Sequence, residues 1–165
     1  MMTLRQILVA TDFSETSDVA LLYGRELAMR FDAQLHVLHV AQDIYLNMFG
    51  AESYLPIAPA IQGQIEADAR RRIVETLGSR GTGEPATVTC VLTAGSPALA
   101  IVEYAKEHQI DVIVMGTHGR GAVAHLLMGS VAERVVRFAP CPVLTVKHPE
   151  RDFARVDALE RVAHA

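Results

Sequence analysis

The chain has 165 residues and a formal net charge of −4; half of its residues are apolar and 21% are charged. This balance is typical of one globular domain with a full apolar core, and it excludes a chain that is disordered throughout. The negative charge and the scattered basic residues argue against a nucleic-acid partner, and every apolar run is far shorter than the roughly 20 residues that cross a bilayer.

Short apolar segments rich in β-branched residues alternate along the chain with longer segments of helical period. Taken in order, they predict a strand at residues 6–11, a helix at 15–31, a strand at 34–41, a helix at 60–78, a strand at 87–93, a helix at 96–108, a strand at 111–115, a helix at 130–138 and a strand at 142–147. Such alternation gives parallel strands joined by right-handed crossovers. The predicted fold is a doubly wound α/β domain, with helices on both faces of one five-stranded parallel sheet.

The predicted helices carry apolar faces and start signals. The apolar face comprises Ala20, Tyr23, Leu27 and Phe31 in the first helix, and Ile61, Ile65, Ala69, Ile73 and Leu77 in the second. Ser96 can cap the third helix ahead of Pro97, while Ser130 and Glu133 have the spacing of a capping box at the start of the fourth. The basic run at residues 70–72 is expected on a solvated helix face.

The remaining segments define the domain limits. We expect one domain at residues 1–148 and a tail at 149–165, which has a helical pattern but is also consistent with a frayed end. Residues 42–59 form the one long irregular stretch, which is either a lid or binding loop, or a mobile connector.

The start of the chain shows no basic region followed by an apolar stretch and a cleavage site, so we expect a cytoplasmic protein. Cys90 and Cys141 lie in apolar, strand-like contexts. Two cysteines without a secretory signal favour buried free thiols over a disulfide.

A glycine-rich pattern follows the fourth predicted strand. Gly116 and Gly119 are separated by two residues, and nine further residues lead to Gly129 and Ser130 at the start of the last helix. Ligands of open parallel sheets bind outside the carboxyl ends of the strands, where glycines allow backbone amides to approach phosphate and a helix N-terminus supplies free N–H groups. The spacing matches neither a Walker loop nor a dinucleotide-binding motif. The alternative is that the glycines only form turns and that Ser130 only caps its helix.

The pattern Gly-x2-Gly-x9-Gly-Ser resembles the signature of the ATP-binding branch of the universal stress protein family. Residues 7–14 are similar to the opening strand and turn of that family, and residues 131–146 are similar to its closing helix and strand. The resemblance therefore covers nearly the whole chain. It implies an adenine-nucleotide α-hydrolase-like sheet with strand order 3-2-1-4-5 and a role as a stress or signalling module that binds ATP, together with Mg²⁺.

Carried over by position, the resemblance also implies a set of binding residues. Asp12 would meet the ribose or adenine side of the nucleotide, although an aspartate before a helix can also cap it and Ser14 is better placed to do so. The adenine pocket would comprise Ala10, Thr11 and Val40, the ribose would lie near Met115 and Gly116, and the phosphates would be surrounded by Gly119, Arg120, Gly129, Ser130 and Val131.

No catalytic residue can be defended from the sequence. The glycine pattern supplies a phosphate cradle without an evident Walker-B aspartate, and His118 and His125 are single histidines beside it. His36 and His39 lie an odd number of residues apart on one predicted strand and so point to opposite faces, which disfavours a paired metal site. We therefore expect at most weak ATPase activity.

Three hypotheses follow from these patterns: a nucleotide-responsive module with little or slow hydrolysis, an ATP-cleaving hydrolase or adenylyl transferase of similar fold, and a dimeric structural partner without nucleotide. The family resemblance places the last strand at one edge of the sheet. Its residues Val143, Leu144, Thr145 and Val146 are apolar or β-branched, so we expect a homodimer paired through this edge, with coverage by the tail as the alternative.

Overall fold

The computed structural model of the protein describes residues 3–42, 59–77, 85–94, 96–117 and 128–147. Its strands are β1 (Gln6–Thr11), β2 (Gln34–Gln42), β3 (Thr87–Ala94), β4 (Val112–Gly116) and β5 (Val143–Val146). Its helices are α1 (Glu15–Phe31), α2 (Pro59–Leu77), α3 (Pro97–Glu107) and α4 (Ser130–Phe138). The predicted elements are thus confirmed in kind and order, with ends that coincide or differ by one residue.

The five strands form one sheet in the order β3-β2-β1-β4-β5, and each neighbouring pair is parallel. This confirms the predicted fold class and strand order. From β1 the chain crosses to β2 on one side, whereas β4 lies on the other side of β1. The strand order therefore reverses between β1 and β4, where ligands of open α/β sheets bind.

Side chains alternate between two apolar layers along the strands. Helices α1 and α2 cover one face, which contains Ile7, Val9, Leu35 and Val37 together with Ala20, Leu21, Ala69 and Ile73. Helices α3 and α4 cover the other face, which contains Leu8, Ala10, Leu38, Ile113 and Met115 together with Ile101, Tyr104 and Val135. Burial of strand side chains on both faces explains why the strands read as nearly continuous apolar runs.

The predicted buried face of α1 is wrong in part. Tyr23 and Phe31 are 54% and 43% exposed, and the helix instead buries Ser17, Ala20, Leu21, Gly24 and Ala28. A Cβ atom added at Gly24 would collide with the Val9 side chain. Small residues therefore face the sheet because α1 packs very close to β1, and the large aromatic side chains are directed away. In α2, Ala69 and Ile73 are buried as predicted, whereas Ile65 is 38% exposed.

Two of the predicted helix caps are confirmed and the third is wrong. Ser14 caps α1 by accepting a hydrogen bond from Ser17 N–H, and Ser96 caps α3 ahead of Pro97. The predicted capping box of α4 does not form, because Gly129 is the N-cap and Ser130 is the first helical residue. Gly129 occupies the cap position since its N–H is held by the Thr117 carbonyl group.

Both cysteines are free and half-buried, so they are less enclosed than expected, and partial burial raises the pKa of each thiol. No helix in the described part of the chain is long and apolar enough to cross a membrane. Of the irregular segment predicted at 42–59, residues 43–58 lie outside the described residues, as does the predicted tail at 149–165.

Candidate functional site

The carboxyl ends of β1 and β4 bring the first predicted site residues together. Ala10 and Met115 are cross-strand partners in the parallel pairing of these two strands, and both are nearly buried on the α3/α4 face. Val40 on β2 packs against the same apolar cluster. These three side chains form an apolar floor at the point where the strand order reverses.

The N-terminus of α4 lies beside this floor. Gly129 N–H donates to the Thr117 carbonyl over 2.7 Å, and Thr117 N–H donates to the Val146 carbonyl over 2.9 Å. The first turn of a helix leaves N–H groups without intrahelical partners, and Gly129 has no side chain that could accept from them. Ser130 is exposed and Val131 packs against the α3/α4 cluster. The helix thus presents backbone donors next to Gly116, where an anion is favoured.

The turn from β1 into α1 carries the remaining polar residues. Asp12 Oδ1 accepts hydrogen bonds from Ser14 N–H at 3.1 Å and from the Ser14 hydroxyl at 2.6 Å. Thr11 Oγ1 accepts from Phe13 N–H at 3.1 Å and lies 3.0 Å from Ser17 Oγ. The Thr11 side chain is therefore directed towards α1, so its backbone borders the apolar floor. Ser14, not Asp12, caps the helix.

Phe13, at the centre of this turn, has a φ of 62°, which L residues with bulky side chains rarely adopt. Its ring lies 4.4 Å from the His39 ring, and the Arg72 guanidinium carbon lies 4.3 Å from its centroid. From the sequence, His39 was expected to face away from His36 and Arg72 to lie on a solvated helix face, so their contacts with Phe13 were not predicted.

Carboxylates surround this turn. Partial burial raises the pKa of Asp18; the Arg72 guanidinium opposes that rise, while Asp12 and Glu15 add to it. Asp12, Glu15 and Asp18 therefore share one local electrostatic field, in which Arg72 is a counter-charge.

The structure places His36 and His39 on opposite faces of β2, as the sequence predicts. His36 is 4% exposed on the α3 side, with Nδ1 2.9 Å from the Tyr104 hydroxyl and Nε2 2.7 Å from Gln6 Oε1. Burial lowers the pKa of His36, and the His108 ring 5.7 Å away lowers it further. Burial also raises the pKa of Tyr104 to about 12. This cluster is a structural network away from the carboxyl edge.

Two of the predicted phosphate residues, Gly119 and Arg120, lie outside the described residues, as do His118 and His125. Within the described ranges, no three His, Cys, Asp or Glu side chains are grouped so that they could hold a metal ion. The other nine predicted residues lie at the end of β1, on β2 beside it, at the end of β4 and at the start of α4.

The sequence pattern of the universal stress protein family matches residues 3–147. A universal stress protein of Methanocaldococcus jannaschii is 31% identical over 151 residues, which cover 90% of this chain and 85% of that protein. Among solved structures, UspA from Lactobacillus plantarum is 28% identical with a TM-score of 0.67, covering 88% of this chain and 99% of that one. A universal stress protein in complex with cAMP is 25% identical with a TM-score of 0.59, covering 88% and 98% of the two chains. The chain is therefore a member of the universal stress protein family.

Proposed function

We propose that the protein binds ATP, together with Mg²⁺, at the carboxyl edge between β1 and β4 and acts as a nucleotide-responsive stress or signalling module. One observation carries the proposal. The N-terminus of α4, capped by Gly129 without a side-chain acceptor, is tied to the end of β4 beside an apolar floor. This arrangement offers backbone donors for phosphate next to an apolar surface for a base.

Each part of the nucleotide has a proposed set of contacts. The adenine would lie on Ala10 and Val40 and along the Thr11 backbone, and Asp12 would meet its ribose or adenine side. The ribose would lie near Met115 and Gly116, and the phosphates near Gly119, Arg120, Gly129, Ser130 and Val131. Phosphate binding would draw on the helix N–H groups and on the exposed Ser130 hydroxyl.

The solved relative in complex with cAMP supports the chemical class of this ligand, since cAMP is an adenine nucleotide. We choose ATP because the Gly-x2-Gly-x9-Gly-Ser pattern resembles the signature of the ATP-binding branch of the family. Mass spectrometry of the nucleotide that copurifies with the folded protein distinguishes ATP from a cyclic or monophosphate ligand.

We propose little or slow hydrolysis, since the pattern provides a phosphate cradle and no evident Walker-B aspartate. An ATP-cleaving hydrolase or adenylyl transferase is the second candidate, and rapid release of phosphate or pyrophosphate would favour it. A dimeric structural partner without nucleotide is the third. We also propose that the protein acts in the cytoplasm.

The homodimer is proposed through β5. The carbonyl groups of Pro142 and Val146 accept hydrogen bonds from the β4 side. Because backbone groups alternate along a strand, those of Val143 and Thr145 point away from β4, towards the edge of the sheet. At the opposite edge, Arg70 covers the outward carbonyl of Thr89 at 2.9 Å. The β5 edge is therefore the better surface for pairing with a second copy.

Thermal unfolding tests nucleotide binding. A ligand selective for the folded state stabilises it by about 2.7 kcal/mol at 100 times its dissociation constant, so Mg-ATP is expected to raise the thermal midpoint. GTP is expected to raise it less. The absence of any shift with millimolar Mg-ATP would refute the proposal.

A further inference from the structure

The Phe13 backbone is held in a conformation that its own side chain disfavours. A φ of 62° lies in the left-handed region, where Cβ crowds the following carbonyl group. Such a residue persists only when its surroundings hold it in place. Phe13 directly follows Asp12, so the groups that hold Phe13 also affect the position of Asp12.

Two side chains from different elements contact the Phe13 ring. His39 on β2 lies 4.4 Å from it between centroids, and the Arg72 guanidinium on α2 lies 4.3 Å from its centroid. His39 also donates its Nδ1–H to the Thr11 carbonyl over 2.8 Å. We call His39, Phe13 and Arg72 the Phe13 clamp.

The clamp and the helix cap fix Asp12 from both sides. On the upstream side, the Thr11 carbonyl is tied to His39. On the downstream side, the Asp12 carboxylate accepts from the backbone and hydroxyl of Ser14, which itself caps α1. The position of Asp12 relative to Ala10 and Met115 therefore depends on a turn whose central residue is held by its ring contacts and by the bond from its N–H to Thr11 Oγ1.

We propose that His39 and Arg72 are positioning residues of the nucleotide site: acting through Phe13, they hold Asp12 where it meets the ribose or adenine. This inference rests on the proposed function. His39 lies on the face of β2 opposite to Val40, and Arg72 reaches the turn from α2. Neither side chain contacts the nucleotide. By reciprocity, a bound nucleotide stabilises the contact between Phe13 and α2 by the same factor that the clamp adds to affinity.

A charge effect is the competing explanation for any role of Arg72. Its guanidinium lies in the field of Asp12, Glu15 and Asp18, so its removal leaves the turn more negative. That change would weaken the binding of any anionic ligand without moving Asp12. The two explanations differ for adenosine, which lacks phosphates but carries the groups that Asp12 would contact.

The test is calorimetric titration of ATP and of adenosine into the full chain and its variants. Arg72→Met removes the cation over the ring, and Phe13→Leu removes the ring but keeps the cation. Arg71→Met is the matched control, because Arg71 is an exposed arginine of the same helix that pairs with Asp68 at 2.8 Å. Urea unfolding of each variant verifies that the folded state is populated during titration.

We expect Arg72→Met and Phe13→Leu each to lower the affinity for both ligands by about three- to tenfold. Arg71→Met should stay within about twofold of wild type, and Arg72→Lys, which keeps a cation over the ring, should restore most of the affinity. His39→Leu, which removes the hydrogen bond to the Thr11 carbonyl, should also lower the affinity for both ligands. Hydrogen exchange of α2 should slow on ATP binding in wild type and less so in Arg72→Met.

Three results overturn the clamp: unchanged affinity in Arg72→Met and Phe13→Leu, a loss confined to ATP, or a loss in Arg72→Met that Phe13→Leu does not reproduce. Wild-type protein that binds neither ligand would instead refute the nucleotide site itself. Wild-type protein that binds both ligands, with variants that bind equally well, would refute the clamp alone.

Discussion

The amide N–H of Gly129 donates a 2.7 Å hydrogen bond to the carbonyl oxygen of Thr117. This bond joins the two ends of the glycine-rich segment and places Gly129, in an extended conformation, at the N-cap of α4. Ser130 is consequently the first helical residue, and its hydroxyl has no capping role. The phosphate contacts proposed for Ser130 can therefore be tested separately from helix stability.

Ser130→Ala should weaken ATP binding and leave folding nearly unchanged. Loss of a hydrogen bond to a charged group costs about 1.5–3 kcal/mol, which corresponds to roughly a ten- to hundredfold weaker affinity. The free energy of unfolding should change by no more than about 0.5 kcal/mol, as for other exposed sites. Gly119→Val should weaken binding more, because a side chain would enter the space where the backbone approaches phosphate. Calorimetry and urea unfolding measure the two quantities, and unaltered affinity in both variants would mean that the phosphates lie elsewhere.

Gly24→Ala should destabilise the fold, because its new Cβ would collide with the buried Val9 side chain. Overpacking of this kind typically costs about 1–3 kcal/mol. Gly63→Ala on α2 is the matched control, since nothing lies within 4 Å of a Cβ built there. In a helix interior that exchange should stabilise by roughly 0.5–1 kcal/mol. Urea unfolding of both variants should give changes of opposite sign in the free energy of unfolding. Equal changes in the two variants would contradict the close packing of α1 on β1.

Much of this fold could be predicted from local sequence patterns, and the limits of that prediction have physical causes. Alternation of strand and helix signals predicted the parallel sheet, and the spacing after Ser14 and Ser96 predicted two caps. The exposure of Tyr23 could not be predicted, because helical period alone does not reveal that Gly24 brings the helix against the sheet. The contacts of Phe13 with His39 and Arg72 join residues distant in sequence, so no local pattern indicates them.

The stability of the protein should fall in mild acid because of His36. Its pKa is below the ordinary value of 6.5 in the folded protein, so the unfolded chain binds a proton more readily. The contribution of neutral His36 to the free energy of unfolding is complete above pH 6.5 and is lost progressively below it. The slope from this one group is at most about 1.4 kcal/mol per pH unit. Over this range Tyr104 keeps its proton, since its pKa is raised to about 12, and its hydroxyl donates to His36 Nδ1.

Comparison with His36→Gln isolates this contribution from those of other titrating groups. The free energy of unfolding is measured in urea at pH 7.5 and pH 5.5 for both proteins. Wild type should lose more stability between the two pH values than the variant, because the variant has no imidazole to protonate between Gln6 and Tyr104. Equal losses in the two proteins would show that His36 does not contribute.

Thr145→Pro should convert the proposed dimer to a monomer without unfolding it. The Thr145 N–H points away from β4, so a proline there removes a donor from the sheet edge and spares the pairing of β4 with β5. Leu144→Pro is the contrasting variant, because the Leu144 N–H points towards β4. Loss of that donor should lower the free energy of unfolding. Light scattering after gel filtration at tens of micromolar should give twice 18.0 kDa for wild type and a single chain mass for Thr145→Pro. A wild-type mass of one chain would exclude the dimer.

Calorimetric titration of Mg-ATP into the folded protein tests the nucleotide site most directly. We predict a saturable heat with one ATP bound per chain, and a weaker affinity for GTP, because Ala10, Val40 and the Thr11 backbone are proposed to accept adenine. Ser130→Ala should lower the affinity in the same experiment while the stoichiometry stays at one. A folded protein that gives no heat of binding with millimolar Mg-ATP would contradict the proposed function.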